Sequence, residues 1–283
     1  MVQPSPFFNP FRSSLSAMSI IQAIILAIIE GITEFLPISS TAHMKIANPL
    51  IGVGESPFRE MFEVVIQLAA ILSVIVLYWK KFMDFKRISF YIKLVIALIP
   101  AIVFGILLKK HIDAALGNLV FIACVMIAGG VVLLFVDRWF THSTIHKEED
   151  ITNKNALLIG CFQVLSIVFP GLSRSAATII GGMTQKLDRS TAAEFSFFLA
   201  VPTMLAASAK SFYDTYKHNP EVLGKDNLTI LLIGSVVSFI VALLAIRFFI
   251  SYLQKHGFKI FGYYRIIAGT LVLILIGAGL LHS

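Results

Sequence analysis

Two short polar segments interrupt an otherwise apolar sequence, and the first carries acidic side chains at helical spacing. It reads EGITEFLPISSTAH over residues 30–43. Glu30 and Glu34 are four residues apart, so on a helix they share one face. Pro37 ends that helix, because the residue before a proline avoids the helical region. Carboxylates among so many apolar neighbours usually line a functional cavity rather than a solvated surface.

The same segment continues with hydroxyls and one imidazole. Ser39 or Ser40 has the right chemistry to cap a new helix. His43 lies three residues after Ser40, so the two should face each other, whereas Ser39 is rotated by about 100° from Ser40. Taken alone, His43 could equally be a packed histidine. Beside two carboxylates and a serine pair, we expect it to converge with them on one small volume.

The second polar segment, FPGLSRSAAT over residues 169–178, supplies one guanidinium and three hydroxyls at the start of a helix. Free N–H groups at a helix N-terminus, hydroxyls and an arginine together favour a bound anion, phosphate above all. The competing interpretation is that the Arg174 side chain extends to the membrane interface and binds no anion. One segment thus offers nucleophile and base candidates and the other a phosphate clamp, a division that suits phosphoryl transfer.

Composition predicts an all-α, polytopic membrane protein. The 283 residues are 57% hydrophobic and 14% charged, where a soluble domain has about a quarter charged. The apolar residues come in blocks of about 17 to 22, the length that crosses a hydrocarbon core. The net charge of +7 does not indicate nucleic-acid binding, because most lysines and arginines lie between the apolar blocks.

Six blocks are predicted to cross the membrane: Phe62–Trp79, Tyr91–Leu108, Leu119–Val136, Ala193–Lys210, Leu228–Ile250 and Tyr263–Leu281. Two more regions, about 20–48 and 155–183, are broken at Pro37 and Pro170. Each should form two half-length helices, which fits a re-entrant hairpin lining a cavity better than two full crossings.

The positive charges predict an orientation. One side of these crossings would hold 14 residues: Lys80, Lys81, Lys86, Arg87, Lys93, Arg138, Lys147, Lys154, Lys186, Arg189, Arg247, Lys255, Lys259 and Arg265. The other would hold seven: Arg12, Arg59, Lys109, Lys110, Lys210, Lys217 and Lys225. The richer side should face the cytoplasm. Both termini and the mouth of the first hairpin would then lie outside.

The two halves also resemble each other. Residues 30–40 match 163–173 at an offset of 133, and 63–69 match 194–200 at an offset of 131. Each half has one hairpin and three crossings, and an odd number of crossings turns the second copy upside down. We therefore expect a single membrane domain over 18–283, with repeats at about 18–137 and 155–283. Residues 1–17 would be a disordered extension.

Glu63 and Glu194 occupy matching places in the two halves, near the starts of crossings. They could orient the hairpins or bind a cation. Equally, each could be an ordinary interfacial acid near a helix N-terminus.

At these residues the chain resembles the undecaprenyl-pyrophosphate phosphatase family linked to bacitracin resistance. The segments that carry the resemblance are EGITEFLPISSTAH at 30–43, FEVVIQLAAILSV at 62–74, PGLSRSAATI at 170–179 and AAEFSFFLAVP at 192–202. The resemblance implies catalytic roles for Glu30, Glu34, Ser40, His43 and Arg174, and substrate contacts from Ser39, Thr41, Ser173, Ser175 and Thr178. Ala42 and Ala176 stand where the family usually has glycine.

The implied reaction hydrolyses undecaprenyl pyrophosphate to undecaprenyl phosphate and inorganic phosphate in the bacterial cytoplasmic (inner) membrane. The charge count places the mouth of the first hairpin outside, so we expect the site to face the periplasm or cell exterior. Arg174 would hold the pyrophosphate. Ser40 would attack phosphorus, with His43 or Glu34 taking its proton, although attack by His43 or by water stays open. The resemblance also implies assistance from Mg²⁺ or Ca²⁺, with Glu30 and Glu34 as ligands. Partners would be the lipid substrate and membrane lipids, with no nucleic acid, and a homodimer is left open.

A secondary transporter or lipid flippase is the alternative, because inverted repeats with broken helices are typical of transporters. A pure transporter would release no phosphate.

Overall fold

The computed structural model describes residues 18–281, so the extension predicted over residues 1–17 lies outside the described residues. The α-helices of this part are α1 (Ile20–Thr33), α2 (Ser40–Leu50), α3 (Pro57–Leu77), α4 (Trp79–Phe82), α5 (Ile88–Leu107), α6 (Lys109–Leu116), α7 (Leu119–Trp139), α8 (Asn153–Val168), α9 (Arg174–Thr184), α10 (Arg189–His218), α11 (Lys225–His256) and α12 (Lys259–Gly277). Residues 18–281 contain no β-strand, only one isolated bridge between Ile145 and Leu187.

The prediction of six membrane-crossing segments is confirmed. Helices α3, α5, α7, α10, α11 and α12 are long and apolar enough to span a bilayer. The fourth begins earlier than predicted because the Asp188 side chain caps it, accepting a hydrogen bond from the Thr191 N–H at 2.8 Å. It also continues to His218, eight residues beyond the predicted end at Lys210.

The two interrupted regions share one local plan. In each, an apolar helix ends, a short turn follows, and a second helix starts at a serine cap: α1 leads to α2 through Ser39, and α8 leads to α9 through Ser173. These two serines have φ of 74° and 75°. Such a backbone is rare outside glycine and costs on the order of 1 kcal/mol or more. The breaks therefore fall at the predicted positions, with matched backbone strain.

Close packing places these broken helices against long ones. Helix α1 packs against α11, and α8 packs against α5. Gly31 and Gly160 make this possible, since a Cβ at Gly31 would meet the Ser238 carbonyl of α11, and one at Gly160 would overlap the Ala97 carbonyl of α5. Small residues allow membrane helices to approach closely in this way. The inversion of one half relative to the other stays a prediction.

Two short helices, α4 and α6, fall in stretches where the sequence predicted loops. Helix α6 has the sequence KKHIDAAL, which is too short and too polar to predict a crossing. It is largely exposed, but Ile112 and Leu116 on it line the cavity of the candidate site. The structure thus adds a helix at the edge of that cavity.

Counting Arg265 among the loop charges was wrong. It lies within α12 and is 0% exposed, with its guanidinium directed into the protein interior. Lys93 is also buried, where its ammonium donates to the carbonyls of Glu148 and Glu149 at 3.2 and 3.0 Å. Without Arg265 the positive charges stand at 13 against seven, so the bias keeps its direction.

Candidate functional site

The turns that break the two interrupted regions touch each other. The Ser175 hydroxyl donates to the Leu36 carbonyl at 2.9 Å, and Ser173 reaches the same oxygen at 3.5 Å. The two polar segments, 133 residues apart in sequence, therefore form one site.

Glu34 lies at the centre of this site. Its Oε2 accepts hydrogen bonds from the Ser40 hydroxyl at 2.6 Å and from the Gln67 amide at 3.2 Å. Its Oε1 pairs with the Arg174 guanidinium at 2.8 Å. The carboxylate is only 6% exposed, so Arg174 balances a buried negative charge. A base within hydrogen-bond reach of a hydroxyl is the geometry that proton transfer needs.

A cavity of about 280 Å³ opens beside this cluster. Its polar lining comes from both turns and from neighbouring helices: Glu34, Ser39, Ser40, Thr41, Gln67, Gln163, Ser166, Ser173, Arg174 and Thr203. Ile112, Leu116, Ile167 and Met204 supply apolar walls. The cavity thus offers hydroxyls, amides and one cation next to an apolar surface.

Two helix N-termini converge on the cavity. Helix α2 starts at Ser40 and α9 at Arg174, and both residues line it. The cap hydroxyls satisfy only the N–H groups of Ala42 and Ala176. Within residues 18–281, the first two backbone N–H groups of α2 and of α9 donate no hydrogen bond. Unpaired N–H groups at two helix starts favour an anion between them.

The predicted contact between Ser40 and His43 is wrong. The His43 Nδ1 lies 2.7 Å from the Ser39 carbonyl, and its Nε2 lies 2.6 Å from the Tyr264 hydroxyl. A carbonyl can only accept, so Nδ1 carries a proton, and in the neutral ring Nε2 accepts from Tyr264. His43 does not line the cavity. The three-residue spacing predicted that Ser40 and His43 face each other, but the imidazole points towards α12.

Glu30 lies one turn before Glu34 but faces a neighbouring cavity. It is 2% exposed, and its Oε1 has no hydrogen-bond partner among the described residues. This second cavity, of about 480 Å³, is also lined by Lys45, Arg59 and Glu63. Thr41, Gln67 and Leu116 line both cavities. The second carboxylate is therefore adjacent to the site without touching Ser40.

The carboxylates fit a divalent cation only incompletely. Within residues 18–281, no group of three or more His, Cys, Asp or Glu side chains could hold a metal ion. The orphaned Oε1 of Glu30 is a free ligand, whereas both oxygens of Glu34 already accept hydrogen bonds. Mg²⁺ is usually held by one or two carboxylates together with substrate phosphate oxygens. Of the two carboxylates, only Glu30 keeps a free oxygen for such a cation, and it lines a different cavity from Glu34.

Ser175 and Thr178 do not line the cavity, contrary to their predicted substrate contacts. Both are 0% exposed. Ser175 bonds to the Leu36 carbonyl, while Thr178 bonds to the Arg174 carbonyl at 2.9 Å and to the Ser196 hydroxyl. Ser39, Thr41 and Ser173, by contrast, lie at the cavity. Thus Ser175 and Thr178 join the two turns to each other and to α10.

The structure adds residues that sequence reasoning missed. Gln67 touches Glu34, and Gln163 lines the cavity with its Oε1 unpaired among the described residues. Tyr264 and Arg265 contact the turns from α12. All four could have been noticed in the sequence, because each is a polar residue inside an apolar block. Their positions in the sequence gave no indication that they contact the two motifs.

Glu63 and Glu194 both form ordinary ion pairs. Glu63 accepts from the Asn48 amide at 2.6 Å and pairs with Arg59 at 3.4 Å. Glu194 pairs with Lys81 at 3.3 Å. Neither contacts Ser40 or Arg174. Glu63 therefore contacts α2 of the first hairpin through Asn48, whereas Glu194 contacts α4 through Lys81.

The comparisons with known proteins agree with one another. The family described as bacitracin resistance protein BacA matches residues 23–271. A relative named undecaprenyl-diphosphatase from Flavobacterium johnsoniae is 56% identical over 259 residues, covering 91% of this chain and 96% of the relative. Relatives of the same name from Porphyromonas gingivalis and Enterococcus faecalis are 49% and 44% identical, each covering 93% of this chain and at least 98% of their own length.

Proposed function

Since the chain belongs to the family of the bacitracin resistance protein BacA, we propose that it is an undecaprenyl-diphosphatase of the bacterial cytoplasmic membrane. It removes the terminal phosphate of undecaprenyl pyrophosphate, which regenerates the monophosphate carrier for cell-wall synthesis. The observation that carries the proposal is the contact of Glu34 with both Ser40 and Arg174 at a cavity formed by two helix N-termini.

Binding of the diphosphate follows from the charges at the cavity. Arg174 presents a guanidinium with donors beyond the one it gives to Glu34, and the starts of α2 and α9 add free N–H groups. Charge-assisted hydrogen bonds of this kind are about twice as strong as neutral ones. Most of the catalytic effect in phosphoryl transfer comes from such positioning and charge stabilisation.

The serine route begins with the Ser40 hydroxyl, which lies 2.6 Å from a Glu34 oxygen. The Ser40 oxygen attacks the terminal phosphorus, its proton passes to Glu34, and the bond to the bridging oxygen breaks. Undecaprenyl phosphate leaves with the electron pair of that bond. Glu34 gives its proton to the departing undecaprenyl phosphate and is a carboxylate again. Water then attacks the phosphoserine and passes a proton to Glu34, the bond between phosphorus and the Ser40 oxygen breaks, and Ser40 takes the proton back from Glu34. Direct attack by water, with Ser40 only positioning it, uses the same contacts.

His43 fits the nucleophile or base role less well than Glu34 does. Both of its ring nitrogens are engaged, one with the Ser39 carbonyl and one with Tyr264. It contacts the backbone of the cap that precedes Ser40. We therefore assign it to holding the first turn in place.

A divalent cation fits the proposal as a helper. Mg²⁺ or Ca²⁺, when bound, supplies positive charge that neutralises the phosphate oxygens. Glu30 would hold it through its unpaired oxygen, with Glu34 as its neighbour. Arg174 and the start of α9 perform the same neutralisation from the opposite turn.

The charge bias supports an orientation with the site open to the periplasm or cell exterior. The richer set of positive residues flanks α4, α5 and the loop after α7, and positive loops stay in the cytoplasm. The predicted mouth of the first hairpin lies on the opposite side.

Phosphate release by purified protein in detergent tests the activity. Wild type should release inorganic phosphate from undecaprenyl pyrophosphate, and Arg174→Ala should lower turnover by about a hundredfold or more, since a lost clamp on transition-state charge costs on the order of 3 kcal/mol. Arg189→Ala is the matched control, because Arg189 pairs with Asp137 at 2.7 Å away from the cavity.

Two results would contradict the proposal. A folded wild type that releases no phosphate would favour the transporter alternative. Equal turnover in Arg174→Ala and wild type would show that Arg174 does not clamp the diphosphate, without contradicting the phosphatase activity.

A further inference from the structure

Arg265 is a buried cation without a carboxylate partner. It sits in α12 with 0% exposure, and within residues 18–281 it forms no ion pair. A buried charge is costly unless other groups replace its hydration. Here backbone carbonyl groups replace the hydration of the guanidinium.

Those carbonyls belong to both turns of the site. The Arg265 Nη1 donates to Pro37 of the first turn at 3.1 Å and to Leu172 of the second at 2.6 Å. Its Nη2 donates to Gly171 at 2.9 Å. One planar guanidinium thus holds residues that lie one or two positions before the two serine caps.

The same side chain also binds helix α7. Its Nε donates to the Met126 carbonyl at 3.2 Å, and its Nη2 approaches the Val125 carbonyl at 3.4 Å. The neighbouring Tyr264 holds His43 at 2.6 Å. Two consecutive residues of α12 therefore fix the first turn, and one of them fixes the second turn as well.

We propose that Arg265 is a positioning residue for this phosphatase, one that sets the spacing between the Ser40 turn and the Arg174 turn. It does not line the cavity, so it acts through the backbone rather than on the substrate. By taking up the carbonyls of Pro37, Gly171 and Leu172, it also turns partial negative charges away from the diphosphate. The inference rests on the proposed function.

A glycine in α7 allows the guanidinium to be displaced without removing its charge. A Cβ at Gly129 would collide with the Arg265 guanidinium, whose flexible end is the part that must yield. Gly129→Ala should therefore push the guanidinium off the carbonyls of the second turn. Gly105→Ala in α5 is the matched control, because no atom lies within 4 Å of its Cβ.

The experiment compares turnover and thermal midpoint for both glycine variants. We expect Gly129→Ala to lower the thermal midpoint, because the displaced guanidinium loses carbonyl partners, and to lose about tenfold or more in kcat per folded protein, because small misplacements of reacting groups cost up to about a hundredfold. Gly105→Ala should keep wild-type kcat. A folded Gly129→Ala enzyme with kcat within about twofold of wild type would overturn the proposal.

A second pair of variants covers the case in which Gly129→Ala does not fold. Arg265→Lys keeps the charge, but its compact ammonium cannot span both turns, so kcat per folded protein should fall at least about tenfold. Lys93→Met removes another buried cation that binds carbonyls, remote from the turns. It should lower stability and leave kcat per folded protein unchanged. Equal kcat losses in the two variants would overturn the positioning role, whereas a wild type without phosphatase activity would instead refute the proposed function.

Discussion

At the scale of single residues, the site depends on one carboxylate with three partners. Glu34 is bonded to a hydroxyl, an amide and a guanidinium, and it is nearly fully buried. Losing Arg174 would leave the negative charge unbalanced, whereas losing Ser40 or Gln67 would remove a neutral hydrogen-bond donor. Variants that remove one partner of Glu34 at a time should therefore distinguish the role of each partner in catalysis.

Ser40→Ala should lower kcat by about a hundredfold or more if Ser40 is the nucleophile, whereas Ser39→Ala should retain part of the activity. Ser40 contacts Glu34, while the Ser39 hydroxyl only accepts from the Ala42 N–H at 3.4 Å. A phosphoserine trapped by rapid acid quench of wild type would support direct attack. Substantial activity in Ser40→Ala together with a trapped phosphohistidine would transfer the role to His43.

Glu34→Gln should impair kcat more than Glu30→Gln. The first change removes the proton acceptor of Ser40 and the ion-pair partner of Arg174. The second removes a carboxylate that contacts neither. Steady-state kinetics over a Mg²⁺ series would measure both effects, and a dependence on Mg²⁺ that weakens only in Glu30→Gln would support Glu30 as a cation ligand. Equal losses of kcat would contradict the separate roles.

At the scale of elements, the site is built from helices that stop inside the protein. A broken helix exposes N–H groups that a continuous helix would use internally. Each break has a serine cap with a strained backbone, and the helix before each break packs closely on a long helix. The strain persists because surrounding contacts fix the turns, Arg265 foremost among them.

Gly160→Ala should destabilise the protein by about 1 to 3 kcal/mol, since overpacking a close contact has that typical cost. The new methyl group would overlap the Ala97 carbonyl, which is backbone and cannot swing away. A lower thermal midpoint in detergent, with Gly105→Ala unchanged, would agree. An unchanged midpoint for Gly160→Ala would show that α8 and α5 can separate at little cost.

At the scale of the whole molecule, orientation in the membrane decides which compartment reaches the site. In a background lacking Cys124 and Cys161, Lys86→Cys should resist impermeant thiol reagents in intact cells and Lys217→Cys should react. Both lysines are exposed in the structure, so burial would not confuse the readout. The opposite labelling pattern would place the first hairpin's mouth in the cytoplasm.

The sequence by itself determined the elements and the kinds of chemistry. Runs of apolar residues long enough to cross a bilayer predicted the six long helices, because backbone groups in lipid must be satisfied within the segment. Pro37 and Pro170, each followed by serines, predicted the two breaks. These signals are local, so they need no knowledge of what packs nearby.

Only the tertiary structure decided which side chains meet. His43 was expected beside Ser40, yet its Nε2 pairs with Tyr264, 221 residues away. The Glu34–Arg174 pair spans 140 residues, and Arg265 reaches Pro37 across 228. A side chain has several staggered rotamers on any helix, and the partner that selects among them comes from a distant part of the chain. Local spacing therefore predicts which groups share a turn, and packing decides where each of them points.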